Sequence, residues 1–194
     1  FFYQIFYYLC SMRRDILTTK TSTNYYGDLE TVKMIKGEFF KDTNEMVRST
    51  CTIAENETND CVVRAFMVAF DIPYKTSHSW VKSKFKRNDG KGTFTKKYLN
   101  GVMGSVKNGK RTSLMGFSPR YKTSYNKGKT LVNPKYKKPT GYTVKSFMEQ
   151  YPDGRYVIIV KGHALALVDG VLYGNGSEQY EGFRRPIHYV IKIK

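Results

Sequence analysis

Three short apolar segments joined by tight-turn residues constrain the fold of this chain more than any other feature. Residues 155–160 and 163–168 are nearly continuous apolar runs of strand length, and Asp169-Gly170 leads from the second run into residues 171–173. An Asp-Gly pair between apolar runs is a strong signal for a two-residue β-hairpin. Connections this short join antiparallel neighbours, so the sequence predicts an antiparallel sheet in this part of the chain.

Two further strands are predicted from shorter patterns. A short strand is predicted at residues 31–35. Residues 186–193 alternate apolar and polar side chains, with one face formed by Ile187, Tyr189, Ile191 and Ile193. Apolar side chains at every second position are typical of a strand that buries one face. We therefore expect the last strand to complete the sheet.

Helical periodicity dominates the central part of the chain. It is clearest in Cys61–Phe70, whose apolar face comprises Val62, Ala65, Phe66 and Ala69. Asn59 or Asp60 is predicted to cap its amino end, and Ile72-Pro73 to end it. Further helices are predicted from Thr76 or Ser77 to Phe85, from Thr93 or Thr95 to Met103, and over residues 143–151. Helices followed by an antiparallel sheet define an α+β domain.

Length and composition indicate one globular domain. The chain has 194 residues, of which 40% are hydrophobic, enough to bury well over half of the surface that the unfolded chain exposes. We expect a single domain over residues 18–194, preceded by an N-terminal arm over residues 1–17. The first ten residues are apolar, but they are too few to span a bilayer and lack the basic lead of a secretion signal. Such an arm is expected to dock on a second copy of the chain or on a capsid.

The charge is strongly positive and is concentrated in the middle of the chain. Lys and Arg number 33 against 16 Asp and Glu, a formal charge of +17, and residues 75–138 carry most of the surplus. Such a surface attracts nucleic acid or acidic protein faces, and the interleaved aromatic residues can stack on single-stranded bases. A solvated basic face is the simpler interpretation, since no nucleic-acid-binding motif is present. Residues 107–139 are predicted to form a basic loop or lid.

Three cysteines, Cys10, Cys51 and Cys61, show neither a paired framework nor the spacing of a zinc site. The sequence therefore predicts no metal, no organic cofactor and a reducing compartment. Cys61 differs from the other two because it opens a predicted helix, where the dipole and the free N–H groups favour thiolate. By itself, a cysteine beside Val62 and Val63 is more often a small core residue.

His163 supplies the imidazole that a cysteine nucleophile needs as its base. It stands in an apolar strand that follows Cys61 by about a hundred residues. A third group must hold the imidazole ring. We prefer Asn175, which follows the return strand of the hairpin, over Asp169, which lies about 20 Å along an extended strand. The backbone N–H of Cys61 and the side-chain amide of Asn59 are the predicted oxyanion donors.

This order of a helix-entry cysteine, a Gly-His pair in an apolar strand and an amide on the next strand resembles the papain-like cysteine peptidase fold. Within that fold, the chain is similar to small papain-like proteins encoded by bacteriophages in residues 59–65, 162–164 and 168–173. The resemblance implies an α+β domain in which N-terminal helices, one bearing the nucleophile, pack on a C-terminal antiparallel sheet. It also implies that Cys61 is the nucleophile and His163 the base.

Two positions depart from the pattern of that family. Papain-type enzymes usually carry a glutamine several residues before the cysteine as an oxyanion donor, whereas this chain has Glu55, whose carboxylate would repel an oxyanion. In the phage proteins we expect an aspartate directly after the return-strand tyrosine, where this chain has Gly174 followed by Asn175. The first departure concerns oxyanion binding and the second concerns the group that orients the histidine.

A second family resemblance assigns a different base. Residues 59–66 are also similar to the cysteine segment of ovarian-tumour-type deubiquitinases, whose histidine lies near the carboxyl end in a His-Tyr pair. In this chain that pair is His188-Tyr189, which makes His188 the alternative base. This assignment leaves Gly162-His163 without a role, so we rank it below the papain-like one.

The sequence as a whole favours a thiol hydrolase that cleaves amide or isopeptide bonds in a protein or peptide substrate. Its richness in Lys, Asn and Tyr is typical of an AT-rich genome such as that of a phage, which places the expected activity in the host cytoplasm or the virion. The alternative belongs to another class: a virion structural or nucleic-acid-binding protein that keeps an idle papain-like scaffold while its basic face binds DNA or a capsid.

Overall fold

The structure is a computed structural model that describes residues 16–23, 29–48, 51–95, 106–107, 110–116, 142–179 and 182–193. Its helices are α1 (Thr43–Arg48), α2 (Thr52–Glu55), α3 (Cys61–Phe70), α4 (Tyr74–Phe85) and α5 (Val144–Gln150). Its strands are β1 (Leu17–Thr23), β2 (Leu29–Ile35), β3 (Phe40–Asp42), β4 (Val106–Lys107), β5 (Lys110–Gly116), β6 (Arg155–Val160), β7 (His163–Val168), β8 (Val171–Gly174) and β9 (Ile187–Ile193). The predicted mixture of helices and strands is confirmed.

The described strands β3 to β9 form one seven-stranded sheet in the order β3-β8-β7-β6-β9-β5-β4. The neighbours β8, β7, β6 and β9 run antiparallel, as predicted from the short connections. β3 pairs with β8 in parallel instead, so the sheet is mixed. β1 and β2 form a separate antiparallel pair, which includes the predicted strand at residues 31–35.

Helix α3 packs on β7 and β6. Its apolar face, predicted from helical spacing, is buried against strand positions that include the small side chains of Ala164 and Ala166. Small residues at these positions allow the helix to approach the sheet closely. Arg155 holds the far end of the helix, because its guanidinium donates to the carbonyl oxygens of Val68 at 2.6 Å and Ala69 at 2.7 Å.

Helix α4 covers α3 from outside through an aromatic cluster. The Phe66 ring lies 4.8 Å from that of Trp80 and 5.6 Å from those of Phe70 and Phe85, centroid to centroid. The prediction that Trp80 and Phe85 face inward is confirmed. The helix begins at Tyr74 rather than at the predicted Thr76 or Ser77, because Pro73 occupies the cap and the Pro73 carbonyl already accepts the first helical bond.

The opposite face of the sheet is covered by α5. Its predicted inward residues Val144, Phe147 and Met148 are buried against side chains from β6, β7 and β8. A reciprocal cap fixes its start: the Ser146 amide donates to the Thr143 hydroxyl at 3.3 Å, and the Thr143 amide donates to the Ser146 hydroxyl at 3.0 Å. The sheet thus has helices on both faces, with the α3 side carrying Cys61.

Other predictions differ from the structure or fall outside it. Ile187 faces the α5 side of the sheet, whereas Tyr189, Ile191 and Ile193 face α3, because the register shifts where β6 pairs with β9. The predicted basic loop or lid is in part a strand, since β5 pairs with β9. The remainder, residues 108–109 and 117–139, lies outside the described residues, as do residues 1–15 of the predicted N-terminal arm and the predicted helix beyond Thr95. The last two residues of the predicted arm belong to the fold instead, since Ile16 is buried and Leu17 begins β1.

Candidate active site

Cys61 is the first residue of α3, as predicted, and its side chain is half-buried beside β7. Asn59 precedes it in a left-handed conformation, φ 55°, which a short polar side chain tolerates. This turn brings the chain into the helix so that the backbone N–H groups of Ala164 and Val62 both act on the sulfur. Ala164 directly follows His163 in β7, so the thiol lies near the end of the strand that carries His163.

A cavity of about 790 Å³ opens at this end of α3, and it is lined by Cys61, His163, Asn175 and Asn59. These four residues come from the α3 entry, the start of β7 and the end of β8, far apart in sequence. The segment from Lys86 to Thr95 forms a further wall of the cavity. The proposed nucleophile, base, orienting amide and oxyanion donor thus all line one cavity.

Asn175 is held in place from two sides. β8 ends at Gly174, whose carbonyl accepts a hydrogen bond from the Thr43 hydroxyl at 3.0 Å. On its other side stands Gly176, where a Cβ would lie 2.8 Å from a carboxylate oxygen of Asp42. Any side chain at Gly176 would therefore displace Asp42 or the backbone that carries Asn175.

Burial governs the protonation of the Cys61 thiol. Desolvation raises the pKa of the Cys61 thiol above its usual value, and the N–H groups of Ala164 and Val62 offset this only in part. Asp60 also raises this pKa, whereas Arg64 lowers it. Burial therefore opposes the stabilisation of a Cys61 thiolate by the helix terminus, which the sequence predicts.

His163 is neutral at physiological pH. Burial lowers the pKa of His163 to about 4, and the positive charges of Arg185 and Arg64 act in the same direction. The negative charge of Asp60 raises this pKa, but by less than the other effects lower it. At pH 7 the site thus holds a thiol and a neutral imidazole, which is the form of histidine that can accept a proton.

A buried ion pair under the cavity was not anticipated from the sequence. The Asp60 carboxylate is bound by the Arg64 guanidinium at 2.7 and 2.9 Å and accepts a hydrogen bond from the Tyr74 hydroxyl at 2.7 Å. These bonds replace the predicted side-chain cap, since Asp60 makes no capping bond to the helix. Arg64 also donates to the side-chain oxygen of Asn44 in α1. The spacing of Asp60 and Arg64 by four residues was the available sequence signal.

A second buried network fixes the loop that leads to Cys61. The Glu57 carboxylate accepts from Arg87 at 2.6 Å and from the Gly90 amide at 2.9 Å, and it lies 2.7 Å from Nε2 of His78. Burial alone would raise the pKa of Glu57, but these contacts outweigh it and lower the pKa to about 2. Asp89 completes a cluster of metal-type ligands with Glu57 and His78. Because Arg87 already neutralises the carboxylate, the cluster acts as an ion-pair network.

The remaining candidate residues lie in different places. Asn59 is exposed at the cavity, and its amide donates to the Gly90 carbonyl at 3.4 Å. Asp169 lies beyond the opposite end of β7 from His163, where its carboxylate accepts from the Gly154 amide at 2.9 Å. His188 lies on β9, separated from β7 by β6, and Glu55 is exposed at the end of α2. Asp169, His188 and Glu55 do not line the described cavity.

Helices of the described segments are all too short or too polar to cross a bilayer. Comparisons of the chain with protein-family models, with curated proteins and with solved structures find no match in any of the three.

Proposed function

We propose that this chain is a papain-like thiol hydrolase that cleaves amide or isopeptide bonds through Cys61. The observation that carries the proposal is the shared cavity, in which a helix-entry cysteine, a neutral histidine and two side-chain amides meet. The packing of α3 on antiparallel strands, with the histidine at the start of β7, supports the papain-like part of the proposal.

In the proposed reaction, His163 accepts the thiol proton as the sulfur of Cys61 attacks the carbonyl carbon of the substrate. The carbonyl oxygen becomes an oxyanion, which the Cys61 amide and the Asn59 side chain stabilise. His163 then gives its proton to the leaving amine, which departs as the C–N bond breaks and a thioester remains. Water hydrolyses the thioester with His163 again as base, and Asn175 orients the imidazole throughout.

The buried pair starts from its neutral form, and a pKa of about 4 makes His163 a weak base for the Cys61 thiol. Creating the thiolate only as the carbon–sulfur bond forms avoids holding an isolated anion in a medium that solvates it poorly. Arg64 favours the sulfur anion through its positive charge, but its ion-pair partner Asp60 opposes the anion with a larger effect.

Cleavage of a complex peptide mixture, with products identified by mass spectrometry, tests the proposal. We expect wild-type protein to cleave, and Cys61→Ala and His163→Gln each to lose cleavage by about 10²-fold or more, because general-base catalysis alone contributes that much. The matched control is His188→Gln, which removes a histidine outside the cavity and should retain cleavage.

Two outcomes would contradict the proposal. If His188→Gln abolished cleavage while His163→Gln retained it, the base would be the one predicted from the deubiquitinase resemblance. If wild-type protein and Cys61→Ala were equally inactive, with both folded by circular dichroism, the hydrolase proposal would be rejected.

A further inference from the structure

The charged residues that line the cavity include more positive than negative groups. Four lining residues carry a charge at pH 7: Asp60, Arg64, Lys86 and Lys91. Asp60 and Arg64 form the buried ion pair at 2.7 Å and so neutralise each other. The two lysines remain, and both are exposed.

Neither lysine is neutralised by the surrounding described residues. No carboxylate in the described part of the chain forms an ion pair with Lys86 or Lys91, whereas the nearby Lys82 binds Asp89 at 2.6 Å. Lys86 ends α4 in a left-handed conformation, φ 52°, which directs the chain into the cavity wall. The cavity wall thus presents two ammonium groups that no carboxylate of the described residues pairs with.

The same wall carries an exposed aromatic side chain. Phe94 lines the cavity and is 80% exposed, one of few large apolar side chains so placed in the described residues. Neutral hydrogen-bonding groups, including Asn88 and Thr58, also line the cavity. An extended polypeptide can use all three kinds of group, through its side-chain carboxylates, its apolar side chains and its main chain.

We propose that the substrate of this cavity is a polypeptide with acidic side chains close to the bond that is cleaved, bound by Lys86 and Lys91. This inference rests on the proposed function, which requires an acyl carbon for Cys61 to attack. Single-stranded nucleic acid would also satisfy the lysines and Phe94, but it offers no such carbon. The chemistry of the nucleophile therefore favours the acidic polypeptide.

The electrostatic part is tested with two alkylating reagents that differ in charge. Iodoacetate is anionic and iodoacetamide neutral, and with either one the sulfur displaces iodide to form the same kind of thioether. We expect the ratio of the iodoacetate rate to the iodoacetamide rate at Cys61 to fall by about tenfold in Lys86→Glu/Lys91→Glu at low salt, since each reversal removes a favourable charge and adds an unfavourable one. Added salt should reduce the difference in this ratio between wild-type protein and the double variant.

The matched control is Lys84→Glu, which reverses an exposed charge on α4 outside the cavity lining. It should leave the ratio at Cys61 nearly unchanged. Cys51 lines a different cavity and serves as an internal reference in every sample. An unchanged ratio at Cys61 in the double variant would overturn the proposed recognition by the lysines.

The substrate part is tested on the peptide mixture that wild-type protein cleaves. We expect Asp and Glu to be enriched several-fold within three residues of the cleaved bond, with the enrichment lost or reversed in Lys86→Glu/Lys91→Glu and kept in Lys84→Glu. Cleavage without acidic enrichment would overturn this inference and leave the hydrolase proposal intact. Protection of Cys61 from iodoacetamide by a ten-residue oligothymidylate, but not by a glutamate-rich peptide, would identify nucleic acid as the ligand instead.

Discussion

At the scale of single residues, two protonation states decide what the cavity can do. Cys61 is a thiol because burial raises its pKa, and His163 is a neutral imidazole because burial lowers its pKa to about 4. Desolvation disfavours charge in both groups, so it drives the two pKa values in opposite directions. In the proposed reaction, the proton therefore moves from Cys61 to His163 as the sulfur attacks rather than before.

The pH dependence of alkylation distinguishes this pair from a preformed ion pair. We expect the iodoacetamide rate at Cys61 to rise about tenfold per pH unit through the neutral range, without a plateau below pH 9, since the reactive thiolate forms only at higher pH. Peptide mapping by mass spectrometry after timed alkylation measures this. A plateau that starts near pH 5 and disappears in His163→Gln would instead demonstrate a thiolate–imidazolium pair.

At the scale of elements, local patterns predicted the core of the site and long-range pairing determined the rest. The bounds of α3, β6 and β7 follow from helical spacing, apolar runs and the turn at Asp169-Gly170. No local pattern specifies that β3 joins β8 in parallel, that Asp60 binds Tyr74, or that the register shifts along β9. Each of these contacts joins residues that are distant in sequence, and local sequence patterns do not specify such pairings.

The loop that leads into α3 depends on the buried Glu57–Arg87 pair. Replacing Glu57 by Gln leaves the fully buried Arg87 without its counter-charge, so we expect the free energy of unfolding to fall by about 3 kcal/mol. Urea denaturation at pH 7 measures the change. Lys82→Met is the control, because its ion pair with Asp89 is exposed and should contribute under about 1 kcal/mol. Equal effects of the two substitutions would contradict a structural role for Glu57.

At the scale of the whole molecule, the same buried groups make the fold sensitive to acid. The pKa of His163 is about 4 when folded and 6.5 when exposed, so the unfolded chain binds more protons between these values and stability falls as the pH drops from 6.5 to 4. The pKa of Glu57 is about 2 when folded against 4.5, so its contribution is present above pH 4.5 and is lost as the pH falls further.

The difference between wild-type protein and His163→Gln isolates the first of these effects. We expect the variant to lose less stability than wild type between pH 6.5 and 4, by at most about 3 kcal/mol for a shift of this size. Urea denaturation at intervals across that range provides the comparison, with His188→Gln as the matched control. Parallel curves for wild type and His163→Gln would contradict a buried, neutral histidine.

The parallel pairing of β3 with β8 determines how much of the chain is needed to hold the candidate site together. β3 and α1 precede the cysteine in sequence, yet Thr43 secures the carbonyl of Gly174 and Asn44 binds Arg64, so both support the chain around Asn175 and the floor of the cavity. A fragment beginning just before Cys61 would contain every proposed reacting group but would leave the edge of β8 unpaired. The shortest fragment that keeps the candidate site intact must therefore start ahead of Phe40.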